Sequence, residues 1–288
     1  MGGEKGSKDK IHGHGVGTVD TVVSVDAVER DADALANRPG AEHLRELAEG
    51  DPVLRIEGLV AGYGKMEILH DVDLYVGRGQ SLCLIGPNGA GKSTVLHSIY
   101  GFTNIMAGTI TINGADVTRM SSNDKLKRAG IAYILQDNSV FHDMTVEENL
   151  WMGGFLMDSP DQAREAAEKV FAKYDHLAKR RGKPARVLSG GERRLLEISR
   201  ALVMDPEVLL VDEPSIGLEP RFINMVFEIL EDLQHGESKT IVMVEQNAKK
   251  GLEFSDVGYV LVSGEVAMAD EGDRLLEDPE VGRLFLGG

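Results

Sequence analysis

The segment Gly86-Pro87-Asn88-Gly89-Ala90-Gly91-Lys92-Ser93 limits what this chain can fold into more than any other stretch. It follows the apolar run Ser81 to Ile85 and precedes a helical pattern carrying Val95, Leu96 and Ile99. A strand that turns through glycines directly into a helix presents successive backbone N–H groups at a helix N-terminus, where the dipole favours an anion. Such turns are common without a ligand, but Lys92 and Ser93 stand in the register G-x-x-x-x-G-K-[ST], which makes phosphate the anion. The loop and the adjoining Thr94 are therefore candidate nucleotide contacts. Lys92 would reach the β- and γ-phosphates, and Ser93 would ligate Mg²⁺.

A phosphate loop of this kind needs an acid for the metal. Val208-Leu209-Leu210-Val211-Asp212-Glu213 supplies one at the carboxyl end of a second apolar run. Asp212 is placed to hold magnesium through water, and Glu213 to polarise an attacking water as general base. Alone, Asp212-Glu213-Pro214 would read as a polar turn; beside the phosphate loop it reads as chemistry.

Short apolar strands separated by helices predict an α/β fold with a mostly parallel sheet covered on both faces. The predicted strands are Ser81 to Ile85, Ile131 to Leu135, Val208 to Val211, Ile241 to Val244 and Tyr259 to Val262. Leu54-Arg55-Ile56 and Leu74-Tyr75-Val76 alternate as half-exposed strands, and Thr109 to Ile112 with Asn113-Gly114 predicts a hairpin. These indicate an antiparallel β subdomain. Periodicity is helical between Val146 and Ala201, with Asp158-Ser159-Pro160-Asp161 as a helix start, so a helical subdomain is expected at about 137–203. Residues 1–50 differ: they read as a largely disordered extension with one amphipathic segment, Ala41 to Ala48. Within it, His12-Gly13-His14 could ligate a metal but reads as solvated side chains.

Composition excludes more than it names. The chain of 288 residues has no apolar run near the roughly 18–20 needed to span a bilayer, and no signal-peptide pattern at its start. Gly6 stands where a myristoylation pattern would want Ser or Thr. The lone Cys83, inside an apolar run, reads as a buried thiol that forms no internal disulfide. A formal net charge of −16 argues against nucleic acid as a partner.

Leu188-Ser189-Gly190-Gly191-Glu192 opens another helix, with Leu195, Leu196, Ile198, Ala201 and Leu202 on one face. It places a serine, two glycines and a helix N-terminus together as a second anion-binding surface. This resembles the signature motif of ATP-binding-cassette (ABC) proteins, and the other motifs of that family follow in order. Tyr63 lies where an aromatic stacks on adenine. Gln136 closes Ile131 to Leu135 as the Q-loop glutamine, with a catalytic and a metal role. Asp212 and Glu213 resemble the Walker B pair, and Ser215-Ile216-Gly217-Leu218 begins a D-loop. The likeness covers residues 51–288 and implies a RecA-like P-loop NTPase core. It also implies ATP and Mg²⁺ as cofactors and a dimer in which Ser189, Gly190 and Gly191 face the nucleotide held by the partner.

Two positions depart from the common cassette. Glu219 stands where the D-loop usually has Asp, and Gln246, in Val244-Glu245-Gln246-Asn247-Ala248, stands where a histidine is usual. A glutamine amide can donate to the γ-phosphate but carries no positive charge. Gln246, the opening Tyr63 to His70 and the ending Leu284 to Gly288 together resemble the smaller ATPase subunit of importers for branched-chain amino acids, or for urea and short amides. That likeness implies a second ATPase subunit, most simply a different chain with a second copy as the alternative. It further implies two integral membrane permease subunits, a solute-binding protein acting through them, and a place at the cytoplasmic face of the cell membrane. A lipid-extraction or export ATPase is the alternative, since Gly191 to Arg194 also fits cassettes of that kind; a soluble non-transport cassette fits less well.

Overall fold

The computed structural model describes residues 39–136 and 139–286. The pair His12 and His14, the rest of the chain before residue 39, and Gly287-Gly288 lie outside the described residues.

The chain folds as two sheets and a helical subdomain. A short helix, α1 (Ala41–Leu47), leads into β1 (Leu54–Tyr63) and β2 (Met66–Val76), then β3 (Ser81–Ile85) and α2 (Lys92–Tyr100). Next come β4 (Asn104–Ile112), β5 (Ala115–Asp116), α3 (Ser122–Ala129) and β6 (Ile131–Ile134). The helical subdomain contains α4 (Val146–Gly153), α5 (Pro160–Lys173), α6 (Asp175–Arg180) and α7 (Gly190–Leu202). The chain then returns to β7 (Val208–Asp212), α8 (Pro220–Glu231), β8 (Thr240–Val244), α9 (Ala248–Phe254) and β9 (Val257–Val262), and closes with β10 (Glu265–Glu271), α10 (Gly272–Glu277) and α11 (Pro279–Phe285).

The six-stranded sheet runs β10-β9-β3-β8-β7-β6, and every neighbouring pair is parallel except the edge strand β10 on β9. Every residue of β3, β7 and β8 is buried, as near-continuous apolar runs in a covered parallel sheet require. The two-residue side-chain period sorts them between two cores. Leu82, Leu84, Leu210, Val242 and Val244 join the core shared with α2 and the four-stranded antiparallel sheet β2-β1-β4-β5. Cys83, Ile85, Leu209, Val211, Ile241 and Met243 join the opposite core, with Val226 and Leu230 of α8 and Leu252 of α9. A third core, built on Val146, Leu150, Phe171, Leu195 and Leu196, belongs to the helical subdomain. Helices α4 and α5 begin where side chains satisfy the first-turn N–H groups: Thr145 forms a capping box with Glu148, and Ser159 caps a helix with Pro160 at its first position.

The mostly parallel core, the antiparallel subdomain and the helical subdomain are those expected, with several differences in extent. Leu135 lies beyond β6, and β9 begins at Val257 rather than Tyr259. The two strands expected to be half-exposed are instead buried except at Arg55, and they are the ends of much longer strands, paired from Leu54↔Val76 to Tyr63↔Met66 through register shifts that let the ribbon bend. Helix α1 is packed into the cassette. Leu44, Leu47 and Ala48 enter the first core, Gln80 Nε2 donates to Leu47 O at 3.0 Å, and Arg45 stacks over the Tyr75 ring.

Candidate functional site

Parallel topology sends the carboxyl ends of β3, β6, β7 and β8 to one edge of the sheet, and a ligand crevice forms at such an edge. The loop after β3 is the phosphate candidate. Gly86 has φ 145° and passes so close to the Leu261 carbonyl that a Cβ would sit 2.1 Å from its oxygen, so only glycine fits. Gly91, at φ 96°, is the N-cap of α2 and offers no side-chain cap, so the first-turn N–H groups stay available to a ligand. The Lys92 ammonium folds onto its own loop, donating to Gly86 O at 2.8 Å and Pro87 O at 2.9 Å. Burial lowers its pKa below the ordinary lysine value, opposed by the charges of Glu213 and Asp212.

The acids converge on this loop. Ser93 Oγ donates to Asp212 Oδ1 at 3.1 Å, joining the first turn of α2 to the end of β7. Gln136 Nε2, just past β6, donates to Glu213 Oε2 at 3.0 Å. Glu213 has φ 43°, a left-handed backbone rarely adopted by a non-glycine residue, and its N–H is held by Val244 O at 2.8 Å. Strain of this kind clusters at functional sites. A hydroxyl, a carboxylate and an amide oxygen form a hard donor set suited to Mg²⁺, which keeps several waters and leans on phosphate for its remaining ligands. The residues therefore fit a magnesium-bound nucleoside triphosphate.

The other expected positions lie around this centre. Tyr63 ends β1 with an exposed ring, and its hydroxyl bonds His97 Nδ1 on α2. Gln246 is exposed just beyond β8. Ser189, Gly190 and Gly191 stand apart at the start of α7. Ser189 accepts from Glu192 N at 3.3 Å while Glu192 Oε2 accepts from Ser189 N at 2.9 Å, which leaves Ser189 and Gly190 exposed at the helix tip. A Cβ on Gly191 would meet Phe222 Cδ1 at 2.1 Å, so its lack of a side chain lets the start of α8 lie against the tip.

Comparison with known proteins gives the family. The ABC transporter family profile matches residues 69–216. The chain belongs to the ABC transporter family. It is 42% identical to the high-affinity branched-chain amino acid transport ATP-binding protein BraG of Pseudomonas aeruginosa, over 78% of this chain and 96% of that protein. It is 37% identical to the probable branched-chain amino acid transport ATP-binding protein LivF of Archaeoglobus fulgidus, over 82% of this chain and 99% of the relative. The crystal structure of a nucleotide-free ATP-binding cassette from an ABC transporter superposes with a TM-score of 0.73 at 28% identity, covering 83% of this chain and all of that one.

The sequence assigns no role to three residues of this ABC cassette. Tyr133 donates to Asp212 Oδ2 at 2.7 Å. Glu245 is buried and accepts from Ser215 Oγ at 2.8 Å and Asn247 N at 2.9 Å, tying the D-loop to the segment that carries Gln246. Arg194 on α7 donates to Leu135 O at 2.7 Å and to Glu197 Oε2 at 2.9 Å. The available signals were a polar tip on an apolar strand, an acid directly after a fully apolar strand, and opposite charges three apart on the apolar face of a helix.

Proposed function

We propose that this chain is the ATP-hydrolysing subunit of an importer for branched-chain or other hydrophobic amino acids, or for a related small polar solute such as urea or an amide. One observation carries the catalytic part: the Ser93–Asp212 and Gln136–Glu213 pairs meet beside Lys92 at the foot of the phosphate loop. The loop N–H groups and Lys92 would hold the phosphates, while Tyr63 stacks on the base. Ser93, Asp212 and Gln136 would hold Mg²⁺, which supplies charge neutralisation on the phosphate oxygens. Glu213 would take a proton from the attacking water, its carboxylate aimed by the Gln136 amide. Gln246 would donate a neutral hydrogen bond to the γ-phosphate.

The chain holds one copy of each motif, so Ser189, Gly190 and Gly191 would complete the site of a second ATPase subunit, a different chain or a second copy. The importer half of the reading is supported by the similarity to BraG and LivF across nearly their whole lengths. Among the described residues no helix is long and apolar enough to cross a membrane. Two permease subunits would therefore hold the cassette at the cytoplasmic face, with a solute-binding protein acting through them. A groove of about 500 Å³ between the sheet core and the helical subdomain offers them a seat. Its lining includes Tyr133, Leu135, Phe141, Met152, Phe155 and Arg200.

Glu213→Gln keeps the hydrogen bond to Gln136 and removes the base. Purified with MgATP from detergent extracts, this variant should be recovered as a closed dimer together with membrane subunits. Recovery as a monomer with no membrane protein would refute the transporter assignment and leave only a nucleotide-binding cassette.

A further inference from the structure

Asp212 is 5% exposed, and a carboxylate buried to that degree needs partners for both oxygens. One oxygen accepts from Ser93 and the other from Tyr133, so the group is pinned from two sides. The phosphate motif accounts for Ser93. No motif accounts for Tyr133.

The sheet explains how that phenol arrives. Tyr133 on β6 pairs with Leu210 on β7, and Asp212 lies two residues further along the same face. A tyrosine spans that diagonal, where a serine or threonine would fall short. The ring is fixed in turn by other aromatics. His97 meets it edge-on at 5.8 Å and 88°, Tyr100 lies 5.5 Å away, and Phe102 lies at 6.0 Å. His97 is itself bonded to Tyr63, so a continuous set of rings runs from the proposed adenine platform to the proposed metal carboxylate.

We infer that Tyr133 is a positioning residue for the metal-holding carboxylate. Its hydroxyl fixes the plane of Asp212 so that Oδ1 stays with Ser93, on the side where magnesium would bind. This rests on the reading of Asp212 given above and adds a residue to it. Partners that orient a metal-holding group typically change metal affinity by about 10–100-fold. The same ring lines the groove beside the helical subdomain, so one side chain touches both the groove and the metal carboxylate.

The test separates metal affinity from nucleotide affinity. Mn²⁺ binding to the full chain with saturating ATP is followed by electron paramagnetic resonance, and ATP binding in EDTA by equilibrium dialysis. In Tyr133→Phe, which keeps the ring, the Mn²⁺ Kd should rise about tenfold while ATP affinity in EDTA stays within about twofold. Tyr133→Leu, which removes the ring as well, should raise the Mn²⁺ Kd by a similar factor. A response in Tyr133→Leu alone would make the residue a packing element and overturn the inference. So would a fall of Mn²⁺ and metal-free ATP affinity together. A wild-type Mn²⁺ signal that neither variant moves overturns this inference alone. The lack of any ATP-dependent signal in the wild type overturns the nucleotide reading and this inference with it.

Discussion

Lys125 has no exposure to solvent, and its ammonium donates to Ile99 O at 2.7 Å and Ser98 O at 3.3 Å. These carbonyls belong to the last turn of α2, where the backbone acceptors lack intrahelical partners and a cation is favoured. Burial is the larger effect: it pushes the Lys125 pKa down to about 8, with the charge of Asp116 opposing. The sign of the stability change follows from proton counting. Below pH 8 the folded and unfolded chains both carry the charge, and the fold bears its full desolvation. Between pH 8 and the ordinary lysine value of 10.5 the unfolded chain holds more protons, so this residue's contribution to stability rises with pH. Lys125→Met has no such titration. Denaturant unfolding across this range should show wild type gaining on Lys125→Met by at most about 3 kcal/mol. Taking the difference at each pH cancels the repulsion among the 47 acidic residues. A difference that stays flat would mean that Lys125 is already ordinary in the fold.

Helix α7 carries the Ser189–Gly191 tip at one end and, one turn in, a buried ion pair. Arg194 is 4% exposed and reaches across to Leu135 O, at the root of the loop that carries Gln136, while Glu197 holds it from its own helix. The helical subdomain is thereby tied to the residue that touches Glu213. Removing one member of a buried pair leaves an uncompensated charge, whereas replacing both with apolar groups of similar volume is often neutral. Arg194→Met should therefore cost about 3–5 kcal/mol in urea unfolding, and Arg194→Met with Glu197→Leu much less. Equal losses in the two would assign the effect to packing instead of charge. Such links mark where a sequence stops being legible. The phosphate loop, the signature helix and the strand-terminal acids each lie within a few consecutive residues, so local pattern exposes them. The Tyr133–Asp212, Arg194–Leu135 and Ser215–Glu245 bonds join residues 79, 59 and 30 apart, and only the strand order brings them together. Elements were missed for related reasons. Strand β10 is an edge strand, half exposed, with acids at its ends, and α10 and α11 each fully bury a single apolar side chain, Leu275 and Val281, too few to display a helical period. The amphipathic pattern of Ala41 to Ala48 was visible, but the surface that buries it, made by β2 and β10, was not.

At the scale of the molecule, the parallel sheet gathers the residues proposed for hydrolysis at one edge, and the helical subdomain carries the surface proposed for the second nucleotide. Between them the groove exposes Leu135, Phe141, Met152 and Phe155, the last to 75%. Scattered exposed apolar residues are ordinary on a protein surface, but four that share one concavity beside Gln136 suit an apolar partner segment. Tyr133 in β6 and Leu135 just past it lead directly into Gln136, so a segment seated there would press on the chain that carries the contact to Glu213. Under the importer reading the groove would supply a physical route between a membrane subunit and hydrolysis, and Phe155 is the side chain on which to test it. Phe155 joins the end of α4 through its backbone only, and an exposed side chain tolerates substitution within about 0.5 kcal/mol, so Phe155→Ser should leave unfolding and ATP binding near wild type. Buried against a partner, the same ring would contribute about 1.5–3 kcal/mol. That corresponds to a loss of roughly 10- to 100-fold in affinity for the membrane subunits. Co-purification of Phe155→Ser from detergent extracts should accordingly fail at concentrations that recover the wild-type complex, and uptake of leucine by cells carrying the variant should fall in step. Full recovery of the complex would remove this groove as the seat while leaving the nucleotide reading untouched, because that reading rests on the bonds of Asp212 and Glu213, in which Phe155 takes no part.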